Sequence, residues 1–205
     1  MLIAKTIGFK LELTVANCGM PKFMLNLVSN NKSGQADIYS DLTERLGAFG
    51  AECVALISIG GSFCLDEFIS NSILPVVDIL TPLIKNSAKT QHKRPGLTGT
   101  KVAMETKIYG VANDIEWLIP GGKRLDNTHM SYVELVNAGV ATSKNRRDLV
   151  AACTELIDRG AEVIVLSGTD LFMAFDDISL SIDAIDCAEV HIKHLLELAA
   201  PESKL

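Results

Sequence analysis

The sequence predicts an α/β protein made of two similar lobes, each with a parallel central sheet. Short runs of apolar and β-branched residues alternate with longer segments of helical periodicity, which is typical of parallel sheets covered by helices. Several of the runs are apolar throughout, as expected of strands buried on both faces. In addition, one helix–glycine–strand unit occurs twice along the chain. The repetition suggests that the two lobes are related by pseudo-symmetry.

The individual elements follow from these patterns. In the helix predicted over 36–49, Ile38, Leu42 and Leu46 recur every four residues and therefore share one face, and Gly50 is placed to end the helix. Two further helices are predicted over 145–159 and 188–199. The predicted strands cover 6–9, 11–16, 53–57, 75–79, 97–103 and 163–166.

The repeated unit locates the expected functional loops. The runs GAECVALIS from Gly50 and GAEVIVLSG from Gly160 begin 110 residues apart, and each is followed by small residues. In open parallel sheets, ligands bind beyond the carboxyl ends of the strands, which here are the loops 58–62 and 167–170. We expect a first lobe of residues 1–80 plus 183–205, a second lobe of 81–182, and a ligand cleft between them. A helix that starts after such a loop offers backbone N–H groups to a carboxylate.

Composition excludes several functional classes. The chain carries 25 acidic and 19 basic side chains, a formal charge of −6, so we expect no nucleic acid partner. No apolar run reaches the ~20 residues of a membrane span, and Lys5 and Lys10 interrupt the first ten residues, so we expect no membrane segment and no secretion signal. Five cysteines without CxxC spacing argue against a disulfide scaffold and indicate the cytosol.

At the two loops the sequence resembles the aspartate/glutamate racemase family, which includes hydantoin racemases, maleate isomerases and arylmalonate decarboxylases. The resemblance runs through five segments in order: GAECVALISIGGSFCLDE, LPVVDI, GLTGTKVAMETKIY, GAEVIVLSGTDL and ISLSIDAIDCAEV. It implies a two-lobed α/β fold, a dimer, and chemistry without a cofactor or metal on a small carboxylate or amino acid. In this family one cysteine thiolate removes the α-proton and a second thiol returns a proton to the opposite face.

The chain departs from the family at both catalytic positions. The first cysteine aligns with Ser58 and the second with Gly168. A serine hydroxyl is far less acidic than a thiol and glycine offers no group, so two-thiol racemisation should be lost. One hypothesis is an isomerase-, racemase- or lyase-type site for an amino or dicarboxylic acid. The alternative is a catalytically silent family member that binds a small acid or a protein.

The resemblance also suggests substrate-binding residues. Asn17 matches a substrate contact, although it could instead form a turn before Gly19. Thr100 matches a carboxylate-binding threonine, or it caps the following helix. Thr169 follows a parallel strand, and the turn at Gly60 could bind an anion through its backbone N–H groups.

Several other residues are predicted to have structural roles. Cys53 and Cys153 lie among apolar neighbours and are interpreted as core residues. Cys64 is expected in the next helix, pointing away from Ser58. His191 and His194, three residues apart, are interpreted as exposed helix residues rather than metal ligands. Asp183 and Asp186 are candidates for capping the last helix.

The first lobe is shorter than in the family, because no Gly-rich loop and helix separate the first two predicted strands. Exposed apolar sheet surface should result, and we therefore expect a homodimer. The residues expected at this surface are Ile3, Ile7, Phe9, Leu11 and Leu13.

Overall fold

The computed structural model describes residues 12–89, 92–105, 115–175 and 178–199, with backbone only for 86–89. Its helices are α1 Met20–Val28, α2 Lys32–Ala48, α3 Leu65–Asn71, α4 Leu80–Lys89, α5 Lys101–Glu105, α6 Gly122–Ala138, α7 Ser143–Asp158, α8 Phe172–Phe175 and α9 Cys187–Ala199. Its strands are β1 Val54–Leu56, β2 Val76–Asp78, β3 Pro95–Gly99, β4 Val163–Ser167 and β5 Ala184–Asp186. A 3₁₀ helix covers Gly60–Cys64. All the described strand pairs are parallel, so the predicted α/β class with parallel sheets is confirmed.

The chain divides into two compact units. Unit 1 comprises Met1–Ile57, Gly61–Ile79 and His191–Leu205. Unit 2 comprises Ser58–Gly60 and Leu80–Val190.

Unit 1 contains the two-stranded sheet β1–β2, in register from Val54↔Val76 to Leu56↔Asp78. The crossover that a parallel connection requires is supplied by the 3₁₀ helix and α3. Tyr39 on α2 meets Phe68 on α3 edge to face, with ring centroids 5.2 Å apart. Edge-to-face contact is a favoured aromatic geometry, and these rings anchor the two helices in the small core of this unit.

Unit 2 contains the three-stranded sheet β3–β4–β5 with β4 in the centre. Both β3 and β4 are buried along their whole length. Helices α6 and α7 form the main core against this sheet, with Leu135, Leu149 and Leu156 fully buried. Most of the predicted site residues belong to unit 2, which has the larger core.

The two copies of the repeated unit have the same backbone geometry. Gly50 and Gly160 take positive φ angles of 90° and 87° directly after α2 and α7. In each copy the glycine N–H and the next N–H turn back to the last helical turn, Ala51 to Leu46 and Ala161 to Leu156. This is a Schellman ending, in which glycine accepts the left-handed conformation without strain. The helix–glycine–strand prediction is confirmed at both positions.

Two predicted strands differ from the structure. Residues 12–16 form no strand, and Leu13 and Val15 are 78% and 77% exposed. Their alternation with Glu12 and Thr14 imitates a strand, but among the described residues no other strand pairs with this segment. The strand predicted over 97–103 instead covers Pro95–Gly99, because α5 begins at Lys101. The prediction over 6–9 lies outside the described residues.

Two burial predictions were wrong. Cys53 is exposed, because it precedes β1 instead of lying within it. His191 is only 3% exposed, and its Nε2 lies 3.3 Å from the carbonyl oxygen of Val77. A carbonyl can only accept, so neutral His191 donates this hydrogen bond through Nε2–H. Burial lowers the pKa of His191 from its ordinary value, which favours the neutral form.

Candidate functional site

The carboxyl edge of the sheet in unit 2 brings several predicted residues onto neighbouring strands. Gly99 at the end of β3 pairs with Ser167 at the end of β4, and Leu166 pairs with Asp186 on β5. The residues that immediately follow these strands are Thr100, Gly168 and Cys187. Ser58 and Gly60 belong to the same compact unit as these residues, whereas Asn17 belongs to unit 1.

Gly168 lies against the ring of Tyr132, which comes from the middle of α6. A Cβ atom placed on Gly168 would lie 2.5 Å from both Cζ and Oη of Tyr132. Ordinary van der Waals separations between such atoms are about 3.5–4.0 Å, so no larger side chain fits unless Tyr132 moves. Tyr132 therefore occupies the space that a side chain at position 168 would enter.

Tyr132 is bound to the loop after β4 through Asp170. Its Oη lies 3.4 Å from Oδ2 of Asp170, to which it donates. The tyrosine is 7% exposed, while Thr169 and Asp170 are partly buried. Burial, together with the nearby Asp170 carboxylate, raises the pKa of Tyr132 above its usual range. The phenol consequently keeps its proton at neutral pH and can donate a hydrogen bond, but it cannot act as a base.

Cys187 directly follows β5, whose Asp186 pairs with Leu166 near the end of β4. Cys187 is fully buried, and burial raises the pKa of its thiol to about 12. A thiol that is neither accessible nor ionised at neutral pH is not a nucleophile or a base, so Cys187 has a structural role.

Thr100 caps α5, which is the alternative role that the sequence predicts for this residue. Its Oγ1 accepts a hydrogen bond from the N–H of Ala103 at 3.1 Å. The N–H of Lys101 donates to Nδ1 of His129 at 3.2 Å. These two N–H groups therefore have protein partners, and a role for Thr100 in ligand contact stays a prediction. The Thr100 hydroxyl still has a proton to donate.

The loop after β1 places Ser58 at an exposed position and Gly60 at the start of the 3₁₀ helix. Cys64, at the end of that helix, is fully buried, and its Sγ lies 3.6 Å from the carbonyl oxygen of Gly61. Burial raises the pKa of Cys64 to about 12. Cys64 is thus a core thiol and not a reactive one.

Asn17 forms the turn that the sequence allows as its alternative role. Its Oδ1 accepts a hydrogen bond from the N–H of Gly19 at 2.7 Å, and Gly19 has a φ of 74°. Asp186 caps α9 as predicted, because its Oδ1 accepts from the N–H of Ala188 at 2.8 Å. A role for Asn17 in ligand contact stays a prediction.

Two further observations concern the described part of the chain. In it, no group of three or more histidine, cysteine, aspartate or glutamate side chains is arranged to hold a metal ion. None of the helices described there combines the length and apolar character needed to cross a lipid bilayer.

Sequence reasoning missed Tyr132. No helix was predicted over Gly122–Ala138, and Tyr132 lies 36 residues before Gly168. The available signal was the spacing of Leu125, Tyr132 and Leu135, which places them on one helical face. A glycine at a position where the family has a larger residue was a second signal, because the vacated space must be filled.

Comparison with solved structures shows the fold. The chain matches a candidate Asp/Glu racemase from Yersinia pestis with a TM-score of 0.82 at 16% identity, covering 97% of this chain and 89% of that one. An aspartate racemase homologue from Pyrococcus horikoshii OT3 gives a TM-score of 0.79 at 22% identity, covering 98% and 90%. An arylmalonate decarboxylase gives 0.56 at 15% identity, covering 82% and 76%. No family model and no curated protein matches the sequence. The chain has the α/β fold of the aspartate/glutamate racemases.

Proposed function

From the fold of the aspartate/glutamate racemases, we propose that the chain is a divergent member of that family that binds a small amino or dicarboxylic acid. The site consists of the loops at Ser58–Gly60 and Gly168–Asp170, together with Thr100. These residues belong to one compact unit, and Thr100 and Gly168 directly follow β3 and β4. In parallel sheets this edge is where ligands bind. The proposal places the protein in the cytosol and requires no cofactor.

The proposed chemistry is not two-thiol racemisation. The observation that supports this is the packing of Tyr132 into the space beside Gly168. General acid or base catalysis by one group is typically worth about 10²–10⁴ in rate, so loss of both thiols removes the family's usual means of moving the α-proton. Any catalysis retained is of the isomerase or lyase type.

A catalytically silent binding protein is the second candidate. It is favoured by the same observation, because Tyr132 fills the space beside Gly168 and its phenol keeps its proton at neutral pH. NMR spectra of the acids incubated with the protein separate the two functions. A new product indicates catalysis, and unchanged acids that nevertheless bind indicate the silent protein.

Binding is tested by calorimetric titration with L-aspartate, L-glutamate, malonate and maleate. We expect at least one of these acids to bind, and we expect Thr169→Val to weaken binding because a hydroxyl at the ligand is lost. Thr154→Val is the matched control, because Thr154 is exposed on α7 and its hydroxyl donates to the Val150 carbonyl oxygen. Failure of all four acids to bind the unmodified chain would contradict the proposed function.

A further inference from the structure

The hydroxyl group of Tyr132 is not needed for packing and is available for a chemical role. A phenylalanine would pack against Gly168 equally well, yet the ring carries a hydroxyl that lies 2.5 Å from the position of an added Cβ at residue 168. A cysteine sulfur bonded to that Cβ would occupy the same region. The hydroxyl therefore lies where the family resemblance implies the thiol of the second cysteine.

The hydrogen bond of the hydroxyl leaves its proton available. The hydroxyl proton points to Asp170 Oδ2 at 3.4 Å. Hydrogen bonds between oxygens are usually about 2.7–2.8 Å long, so this donor is only weakly engaged. A ligand carboxylate that approaches more closely would be the better acceptor.

The neighbouring backbone groups also favour a hydrogen bond from the Tyr132 hydroxyl to a ligand carboxylate. At the turn after β3, the N–H groups of Lys101 and Ala103 already have protein partners. A carboxylate at this turn therefore needs donors from side chains, and Tyr132, Thr169 and Thr100 carry hydroxyl groups beside the ends of β3 and β4.

We propose that Tyr132 is a ligand-binding residue of this site, whose hydroxyl donates a hydrogen bond to the carboxylate of the bound acid. This inference rests on the proposed function, because it needs an acid in the site. It adds a residue from α6 that the family resemblance does not supply. In this proposal, the region around residue 168 binds the ligand carboxylate instead of transferring a proton.

The test is calorimetric titration of L-aspartate and malonate into the full chain and into Tyr132→Phe, which keeps the ring and removes the hydroxyl. Tyr39→Phe is the matched control, since Tyr39 is also 7% exposed but lies in unit 1. We expect Tyr132→Phe to weaken binding roughly tenfold or more, as for a hydrogen bond to a charged group. Tyr39→Phe should bind like the unmodified chain.

Three results would overturn the inference, and they are distinguishable. Unchanged binding by Tyr132→Phe refutes the role of the hydroxyl while leaving the proposed function intact. If both variants weaken binding equally, the effect comes from a general change in the buried core and not from the Tyr132 hydroxyl at the site. Absence of binding to the unmodified chain contradicts the proposed function and the role of Tyr132 together.

A second measurement on the unmodified chain covers the case in which Tyr132→Phe does not fold. The chain has three tyrosines, so ¹³Cζ-tyrosine NMR gives three signals, and Tyr39→Phe and Tyr109→Phe assign them by elimination. Saturating acid should move the Tyr132 signal and leave the Tyr39 signal in place. A Tyr132 signal that does not move would overturn the inference.

Discussion

Gly168 and Tyr132 illustrate how two residues far apart in sequence depend on each other at the scale of single side chains. The backbone of Gly168 does not require glycine, because its φ lies outside the positive range that L side chains avoid. The space beside Gly168 does require glycine, since the ring of Tyr132 fills that space. A cysteine introduced at position 168 would therefore strain the core.

We predict that Gly168→Ala destabilises the protein by about 1–3 kcal/mol, the usual cost of overpacking. In a Tyr132→Ala background the same change should cost much less, because the colliding ring is absent. Urea unfolding of the four proteins measures the coupling. Gly121→Ala is the control, because its Cβ would meet only Glu155 Oε1 at 3.5 Å. Equal costs of Gly168→Ala in both backgrounds would contradict the packing described here.

His191 predicts a pH dependence of stability. Burial lowers its pKa in the folded state, whereas the unfolded chain binds the proton with the ordinary pKa of about 6.5. The stability that neutral His191 provides is therefore complete above that pH and declines as the pH falls below it. We expect His191→Gln, which keeps a donor for Val77, to lose less stability between pH 7.5 and 5 than the unmodified chain.

Urea unfolding at the two pH values measures the His191 effect. His194→Gln is the control, because His194 is partly exposed on the same helix. A pH dependence that is the same in His191→Gln and the unmodified chain would show that other groups cause the loss.

At the scale of secondary structure, local signals were reliable where they came from backbone chemistry. Gly50 and Gly160 end their helices as predicted, because only glycine takes positive φ without strain. Patterns that depend on a tertiary partner were less reliable. Leu13 and Val15 alternate like a strand yet remain exposed, and α6 was not predicted although it carries Tyr132.

The start of α7 provides a test at this scale. Thr142 and Asn145 form a capping box, in which Thr142 Oγ1 accepts from the N–H of Asn145 and Asn145 Oδ1 accepts from the N–H of Thr142. We predict that Thr142→Ala lowers the unfolding free energy by about 1 kcal/mol. Ser143→Ala, at the next exposed residue, should change it little. Equal effects in thermal melts of the two variants would contradict the capping assignment.

At the scale of the whole molecule, the sequence predicted the fold better than the site. Five ordered segments led to the racemase-like α/β fold, which the solved structures show. The departures from the family at Ser58 and Gly168 stay predictions. The contact between Tyr132 and Gly168 was not predicted, because it depends on the packing of α6 against the sheet.

Self-association is the prediction that concerns the assembly. Leu13 and Val15 are exposed, and within the described residues the sheet of unit 1 has only two strands. Exposed apolar residues and unpaired strand edges favour association with a second copy. We expect a homodimer with twice the 22.1 kDa chain mass in light scattering. The other residues expected at this surface, Ile3, Ile7, Phe9 and Leu11, lie outside the described residues.

The interface is tested by Leu13→Asp combined with Val15→Asp, which should shift the dimer toward the monomer. Val140→Asp is the control, since Val140 is exposed in unit 2. A monomer mass for the unmodified chain would refute the prediction. A dimer unaffected by the double change would place the interface elsewhere.

We propose that this chain does not carry out two-thiol racemisation, because the family resemblance aligns the two cysteines with Ser58 and Gly168, and Tyr132 fills the space beside Gly168. Incubation with L-aspartate and L-glutamate in deuterated water tests it most directly, with exchange at the α-carbon followed by proton NMR beside a two-cysteine racemase. We predict no exchange above the enzyme-free rate. Exchange at a rate comparable to that of the racemase would contradict the claim.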